Sequence, residues 1–513
     1  VTDRSAEPAV ATAVSPILPL TAEEERRLLD RLLASPPAAI LAVSDLHLGE
    51  GLEPGTGRYF RRENFFADAA FGRFLERQAA MCGTPAMLVL DGDIFDFLRI
   101  DKAPKDKDEA AFQDWRTALE RLGVRYSVDD LRRRVLPHER TFGLQTDDYK
   151  SVFKFGVIAR GHPAFFRALA AWVGRGGAVL YVRGNHDVEQ YWPLVRRAFR
   201  DEIHRAGADA AAVSRLVAFA DEAATIENVY VEHGHGYEAI TRVVGPATLS
   251  EPAGQLNLPL GSFVNRYIIN RMERIEPFLD NIKPVTDVLW AMARRRPLLV
   301  FGIIRRGTRF LARALVKRRA RHALLAVAIV GIALTQLVPL AVVAAIVLFF
   351  AWPAFREWLV ALPVIGSPTV RTLLSATGMA LPFLIAMAKE LFSHRPAVGE
   401  DAFAEGLYGA LRRRFAGAAP WRTVYGVLGH THVQDVQELP PVAPGAGRTL
   451  YVNTGTWVPL WPKDRPDLAG RVFYTFVRFT RRSGEYAHES LVWDDILGDA
   501  RPAQMLTPDR RPD

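Results

Sequence analysis

Ala38-Ala39-Ile40-Leu41-Ala42-Val43-Ser44-Asp45-Leu46-His47 decides how this chain is read. An apolar run of buried-strand length passes without a break into a polar cluster. The pattern recurs four times. Ala86-Met87-Leu88-Val89-Leu90 meets Asp91-Gly92-Asp93, and Ala178-Val179-Leu180-Tyr181-Val182 meets Arg183-Gly184-Asn185-His186-Asp187. Val229-Tyr230-Val231 meets Glu232-His233-Gly234-His235, and Val424-Tyr425-Gly426-Val427-Leu428 meets Gly429-His430-Thr431-His432. Short strands that each deliver Asp, Asn or His at their C-terminal end predict an α/β protein, with its site along that shared edge. The clusters hold no Cys, so the donors suit Mn, Fe, Zn or Mg rather than a thiolate site.

This donor set fits hydrolysis of phosphate esters. Two divalent ions about 3.5–4 Å apart lower the pKa of a water and clamp the phosphoryl oxygens. Asp45 and His47, two apart at a strand end, can be aimed by one turn at one ion. Asp93 is the natural bridge, and Asn185, His233, His430 and His432 complete the shells.

The motifs Asp45-x-His47, Gly92-Asp93-x-x-Asp96, Gly184-Asn185-His186-Asp187, His233-Gly234 and Gly429-His430-x-His432 stand in the order found in the calcineurin-like metallophosphoesterase superfamily. The chain resembles that superfamily over about 38–100, 178–240 and 424–460. The resemblance implies a β-sandwich of two mixed sheets flanked by helices. It assigns Asp45, His47, Asp93 and His432 to one ion, and Asp93, Asn185, His233 and His430 to the other. Manganese is the first expectation, with iron, zinc and magnesium behind it. His186 is placed beside the substrate as general acid or charge stabiliser, with Asp96 orienting it. Asp91 is expected to cap its turn rather than ligate, and His235 to lie at the surface or behind the ligands. Asp187 is expected to support its loop, and Asn453 to be structural.

At 513 residues, 49% hydrophobic and 24% charged, the chain is neither disordered nor a disulfide-stapled mini-protein. Its one cysteine, Cys82, permits no internal disulfide, which fits a reducing compartment. The net charge of +8 is unevenly spread: Ala293–His322 holds eleven basic residues and no acid, which leaves −3 for the rest. On a helix, Val300, Ile304, Leu311 and Leu315 fall on one stripe, with Arg305, Arg309, Arg313 and Lys317 opposite. Such a helix suits an anionic leaflet. It abuts an apolar run, so nucleic acid is not the expected partner.

His322–Phe355 is a run of 34 residues without Asp, Glu, Lys or Arg, and Thr372–Ala388 is a second of 17. About 20 apolar residues span a bilayer. Candidate ligands lie on both sides of these runs, so the chain must cross an even number of times, as two helices or one re-entrant hairpin. The basic flanks put the catalytic domain in the cytoplasm. The expected organisation is a mobile tail at 1–20 without signal-peptide character, then a phosphoesterase domain from 21–260 and 400–500 carrying a helical insertion at 99–177. A basic amphipathic segment at 261–322 and a membrane-spanning insertion at 323–390 interrupt it. Helices are expected at about 21–34, 108–122 and 163–173.

The function expected is hydrolysis of a phosphate ester or pyrophosphate at the cytoplasmic face of a membrane, on a lipid or nucleotide-lipid phosphate. Ser44-Asp45-Leu46-His47-Leu48-Gly49 and Arg183-Gly184-Asn185-His186-Asp187 are similar to the branch containing the UDP-2,3-diacylglucosamine pyrophosphohydrolases. The alternatives are a phosphodiesterase for a soluble substrate and a non-catalytic membrane scaffold that retains the fold.

Overall fold

The apolar runs form strands. The computed structural model describes residues 14–503, apart from 239, 251, 275–281, 284–399, 416–420, 444–446 and 463–468. In chain order the strands are β1 (Ala39–Val43), β2 (Ala86–Asp91), β3 (Ala178–Val182), β4 (Val217–Ala220), β5 (Ala223–Ile226), β6 (Val229–Glu232) and β7 (Ile282–Lys283). After residue 400 come β8 (Thr423–Leu428), β9 (Asp435–Leu439), β10 (Arg448–Asn453), β11 (Trp461–Pro462), β12 (Tyr474–Arg482), β13 (Glu485–Asp494) and β14 (Asp499–Pro502).

Two mixed sheets result. One runs β14-β13-β12-β1-β2-β3-β4, with β1 to β4 parallel and β12 antiparallel to β1. The other runs β5-β6-β8-β10-β9, with its three central strands parallel and both edge strands antiparallel. Side chains alternate across each strand. Ile40, Ala42, Met87 and Val89 face inward onto Val229, Val231, Val427 and Val452 of the second sheet. Leu41, Val43, Leu88 and Leu90 face outward onto Phe71, Phe155, Phe165 and Phe199 of the covering helices. The helix Glu400–Phe415 covers the far side, packing Leu407, Leu411 and Phe415 against Val424, Leu428 and Tyr451. The layers are therefore helices, sheet, sheet, helix. Burial on both faces is why β1, β2 and β3 read as unbroken apolar runs.

The region 99–177 contains five helices: Glu109–Arg121, Val128–Arg134, Glu139–Phe142, Asp148–Gly161 and Pro163–Gly174. The expected pair at 108–122 and 163–173 is present. Asp148–Gly161 is not announced by the sequence because its two lysines point inward: Lys150 pairs with Glu139 at 2.8 Å and Lys154 with Glu189, all buried. A helix buried nearly all round has no polar stripe. The first helix, Ala22–Leu33, opens with the expected cap at Thr21, closed reciprocally by Glu24.

The expected tail is corrected where it is described. Ile17 is 1% exposed within the core, and Arg197 Nε donates to its carbonyl at 2.7 Å. Among the described residues no helix is long and apolar enough to cross a membrane. The runs 322–355 and 372–388, and the expected basic helix with Arg305, Arg309, Arg313 and Lys317, lie outside the described residues.

A buried acid–imidazole node fastens the loop after His47 to the helical insertion. The Glu63 carboxylate accepts N–H groups from Gly49 (3.1 Å), Gly51 (2.6 Å) and Phe65 (2.9 Å). His162 Nε2 lies 3.4 Å from Glu63 and its Nδ1 3.0 Å from Asp68, which also accepts from the Tyr59 hydroxyl at 2.9 Å. Burial opposes charge on His162, but Glu63 and Asp68 outweigh it and hold the imidazole up at about 9. A raised folded-state pKa stabilises fully below the unfolded value of about 6.5 and loses its effect as pH climbs through the folded one. The contribution is on the order of 3 kcal/mol. The thermal midpoint is therefore expected to fall between about pH 6.5 and 9. His162→Gln should start lower at pH 6 and trace a flatter profile, and parallel profiles would sink this account.

Candidate metal centre

Each expected ligand follows directly on the C-terminal end of a strand or sits in the tight turn beyond it. The turns are unusual. Of the seven non-glycine residues with positive φ among those described, five are candidate ligands: Asp45 (52°), His47 (50°), Asp93 (52°), His430 (68°) and His432 (65°). Side chains with a Cβ avoid this left-handed region, so strain is concentrated where donors must be aimed. Gly92 shares the constraint, with φ at 75° and a Cβ position 2.5 Å from the His233 ring. A Cβ on Gly429 would lie 2.6 Å from Asp45 Oδ2.

The turns bring the side chains into three overlapping groups whose donor atoms lie within 4.8 Å of one another: Asp45 with His47 and His432, Asp93 with His233 and His430, and His47 with Asp93 and His186. The first holds three of the four residues expected of one shell, without Asp93, and the second three of the four expected of the other, without Asn185; the third contains one residue from each. Asn185 lies between Gly184, which abuts Asp93 Oδ1, and His186, whose N–H donates to that oxygen at 2.7 Å. Its Oδ1 is buried with no hydrogen-bond partner among the described residues.

These residues fit a metal centre on the chemistry of facing donors. His233 Nδ1 donates to the Asp91 carbonyl at 2.8 Å, which turns Nε2 toward Asp93 Oδ2 at 3.1 Å. His47 Nε2 faces His432 Nε2 at 3.2 Å, and His432 Nε2 is 3.2 Å from Asp45 Oδ1. Ring lone pairs and carboxylate oxygens this close need a proton or a cation between them.

The surroundings orient the donors. Asp45 Oδ2 accepts the Ser44 hydroxyl and the His430 N–H (2.9 Å). Asp96 Oδ1 lies 3.2 Å from His186 Nδ1, and its Oδ2 lies 3.5 Å from His47 Nδ1, so one carboxylate addresses both rings. Asp187 supports its loop as expected, accepting from Gly184 N (2.6 Å), Ile94 N (2.9 Å) and the Tyr181 hydroxyl (2.6 Å). Asn453 is structural, its Nδ2 holding the Gly429 carbonyl at 2.8 Å. The Asp91 carboxyl joins no ligand group, although its carbonyl aims His233. His235 lies behind His233, ring centroids 5.6 Å apart.

Two charged partners were missed. Arg99 Nε donates to Asp96 Oδ2 at 2.8 Å, three residues along the chain. Glu238 Oε2 lies 3.1 Å from His430 Nε2. A basic residue just after Gly92-Asp93-x-x-Asp96 was the available signal for the first; nothing in the sequence announced the second.

Burial opposes ionisation of Asp45, Asp93 and Asp96, yet the neighbouring histidines hold all three below the ordinary carboxylate range. His233 goes the other way: burial disfavours its charge, but Asp93 and Asp45 push it well above the imidazole range. Burial and then Asp93 push Asp187 up to about 6. Burial, with His233 and His430 adding to it, pushes His235 down to about 3. The centre is thus a nest of buried anions that recruits positive charge. A cavity of about 330 Å³ opens beside it, bordered by Arg183, Tyr191, Glu232, His233, His235 and Arg242.

Mn²⁺ at a hundredfold excess over its Kd is expected to stabilise the folded chain by about 2.7 kcal/mol. That gain should appear as a raised thermal midpoint, vanish with chelator and be lost in Asp93→Ala. A wild-type midpoint indifferent to Mn²⁺, Fe²⁺, Zn²⁺ and Mg²⁺ would overturn the metal assignment. Comparison with protein-family models and with curated proteins finds no match to this chain.

Proposed function

We propose that the chain is a metal-dependent phosphoesterase of the calcineurin-like metallophosphoesterase type. The observation that carries this reading is the meeting of Asp45, His47, Asp93, His233, His430 and His432 in overlapping buried groups, five of them held in left-handed backbone. Two divalent ions, manganese foremost, would supply Lewis acidity and a nucleophile available at neutral pH.

The remaining work falls to the chain. Asp93, which shares one group with His233 and His430 and another with His47 and His186, would keep the two sets of donors in register, with the His186 N–H fixing its Oδ1. Asp96 sets the tautomer and ring plane of His186. His186 gives its proton to the leaving oxygen as the phosphorus–oxygen bond breaks; the attacking water keeps one proton as a phosphate hydroxyl, and its other passes to solvent, from which His186 is reprotonated. The cavity bordered by Arg183, Tyr191 and Arg242 receives the part of the substrate beyond the phosphate, within the usual size for such sites.

The favoured substrate is a lipid or nucleotide-lipid phosphate at the cytoplasmic face of a membrane. The basic sequence carrying Arg305, Arg309, Arg313 and Lys317 and the uncharged runs after it support this placement. A hydrolysis screen of the detergent-solubilised full chain with Mn²⁺, against lipid and soluble phosphates, is the test. Turnover that needs metal and stops with chelator is expected. His186→Ala should lower kcat by about 10²–10⁴. No metal-dependent turnover on any class would sink the enzyme reading, and turnover on soluble diesters alone would sink the lipid assignment.

A further inference from the structure

Asp96 does not stand alone behind the two histidines. Its carboxylate is fully buried between His186 and His47 on one side and Arg99 on the other, which donates from Nε to Oδ2 (2.8 Å) and from its main-chain N–H to Oδ1 (3.2 Å). The Arg99 guanidinium is itself buried, and its far edge donates from Nη2 to Glu273 Oε1 at 2.9 Å and from Nη1 to the Arg62 carbonyl at 3.2 Å. Glu273 is 0% exposed and lies 174 positions along the chain from Arg99. A continuous line of alternating charge, imidazole to carboxylate to guanidinium to carboxylate, thus ends on a residue outside every motif.

The stretch that brings Glu273 in is docked along its length. Leu256 N donates to Thr146 Oγ1 at 2.9 Å, and the Ser262 hydroxyl to the Asn185 carbonyl at 3.4 Å. Arg266 donates to the Gly143 carbonyl at 2.6 Å, and Asn270 Nδ2 to the Leu98 carbonyl at 2.6 Å. Asn270 reaches the residue next to Arg99, so the same turn fixes both ends of the Arg99–Glu273 contact.

We infer that Arg99 and Glu273 are positioning residues of the reaction proposed above: they act through Asp96 to set the ring planes of His186 and His47. Arg99 balances the Asp96 charge and fixes which way its oxygens point. Glu273 balances Arg99 in turn and keeps the guanidinium from rotating off Asp96. Because Asp96 serves both rings, loss of Glu273 disturbs a ligand of one ion and the proton donor together. A partner behind a ligating histidine is commonly worth about 10–100-fold in metal affinity or activity.

The test uses the full chain in detergent, as wild type, Glu273→Gln, Glu273→Ala and Arg99→Lys, each checked for an unchanged unfolding midpoint. Two readouts are taken: Mn²⁺ affinity by calorimetry, and kcat and KM on two phosphodiesters, one with a p-nitrophenol and one with a phenol leaving group. Glu273→Ala is expected to weaken Mn²⁺ binding about tenfold and to lower kcat more on the phenyl ester, which needs the proton, than on the p-nitrophenyl ester. KM should stay within about twofold, and Glu273→Gln, which still accepts from Arg99, should recover part of the loss. Unchanged affinity with equal losses on both esters, or with none, overturns the inference and leaves the phosphoesterase reading standing. A wild type that binds Mn²⁺ and turns over neither ester, with affinity still falling in Glu273→Ala, removes the phosphoesterase reading and keeps the positioning of His47. Where any variant unfolds, Glu273→Gln alone decides by the same two readouts.

Discussion

The centre of this protein rests on an electrostatic conflict. Asp45, Asp93 and Asp96 are buried, each within 4.0 Å of the His47 ring, and a buried carboxylate is stable only beside positive charge. Each has a histidine ring beside it, and Arg99 supplies a fixed cation behind Asp96. Two mixed sheets facing each other put five strand ends along one edge, and the turns beyond them take left-handed backbone to face their side chains inward. The strained turns make sense only as the means of holding these groups together.

Division of labour within the cluster follows from which atoms are already engaged. The Asp91 carbonyl occupies the Nδ1 side of His233 and Asp96 that of His47 and His186, leaving Nε2 of His233 and His47 facing the centre. Asp93 shares its two oxygens between the His186 N–H and the His233 ring. The carboxylate proposed to join the two donor groups is thereby also joined to the segment carrying His186.

What could be read in advance was set by how local each signal is. β1, β2 and β3 were legible because burial on both faces turns a strand into an unbroken apolar run. The ligands were legible because each follows its strand within a few residues. The helix Asp148–Gly161 was not, since Lys150 and Lys154 break its apolar pattern while pairing in the interior with Glu139 and Glu189. Glu273 and Glu238 were not, because their contacts to Arg99 and His430 join positions 174 and 192 apart, and no local spacing encodes such a meeting. Ile17 was misread because an Ala/Pro/Ser/Thr-rich stretch looks unstructured until Arg197 is seen to hold its carbonyl.

The meeting of His47 with His432 spans 385 positions of chain. Loop-closure entropy grows only with the logarithm of length, but it must be met before any contact within the loop rewards it. An ion held by Asp45, His47 and His432 would therefore act as a staple across nearly the whole polypeptide, comparable to a disulfide closing a very long loop. The pairing of β6 with β8 lies inside that same loop. Seen this way, the centre belongs to the topology as well as to the chemistry: its two halves lie 385 positions apart, on either side of nearly all the intervening chain.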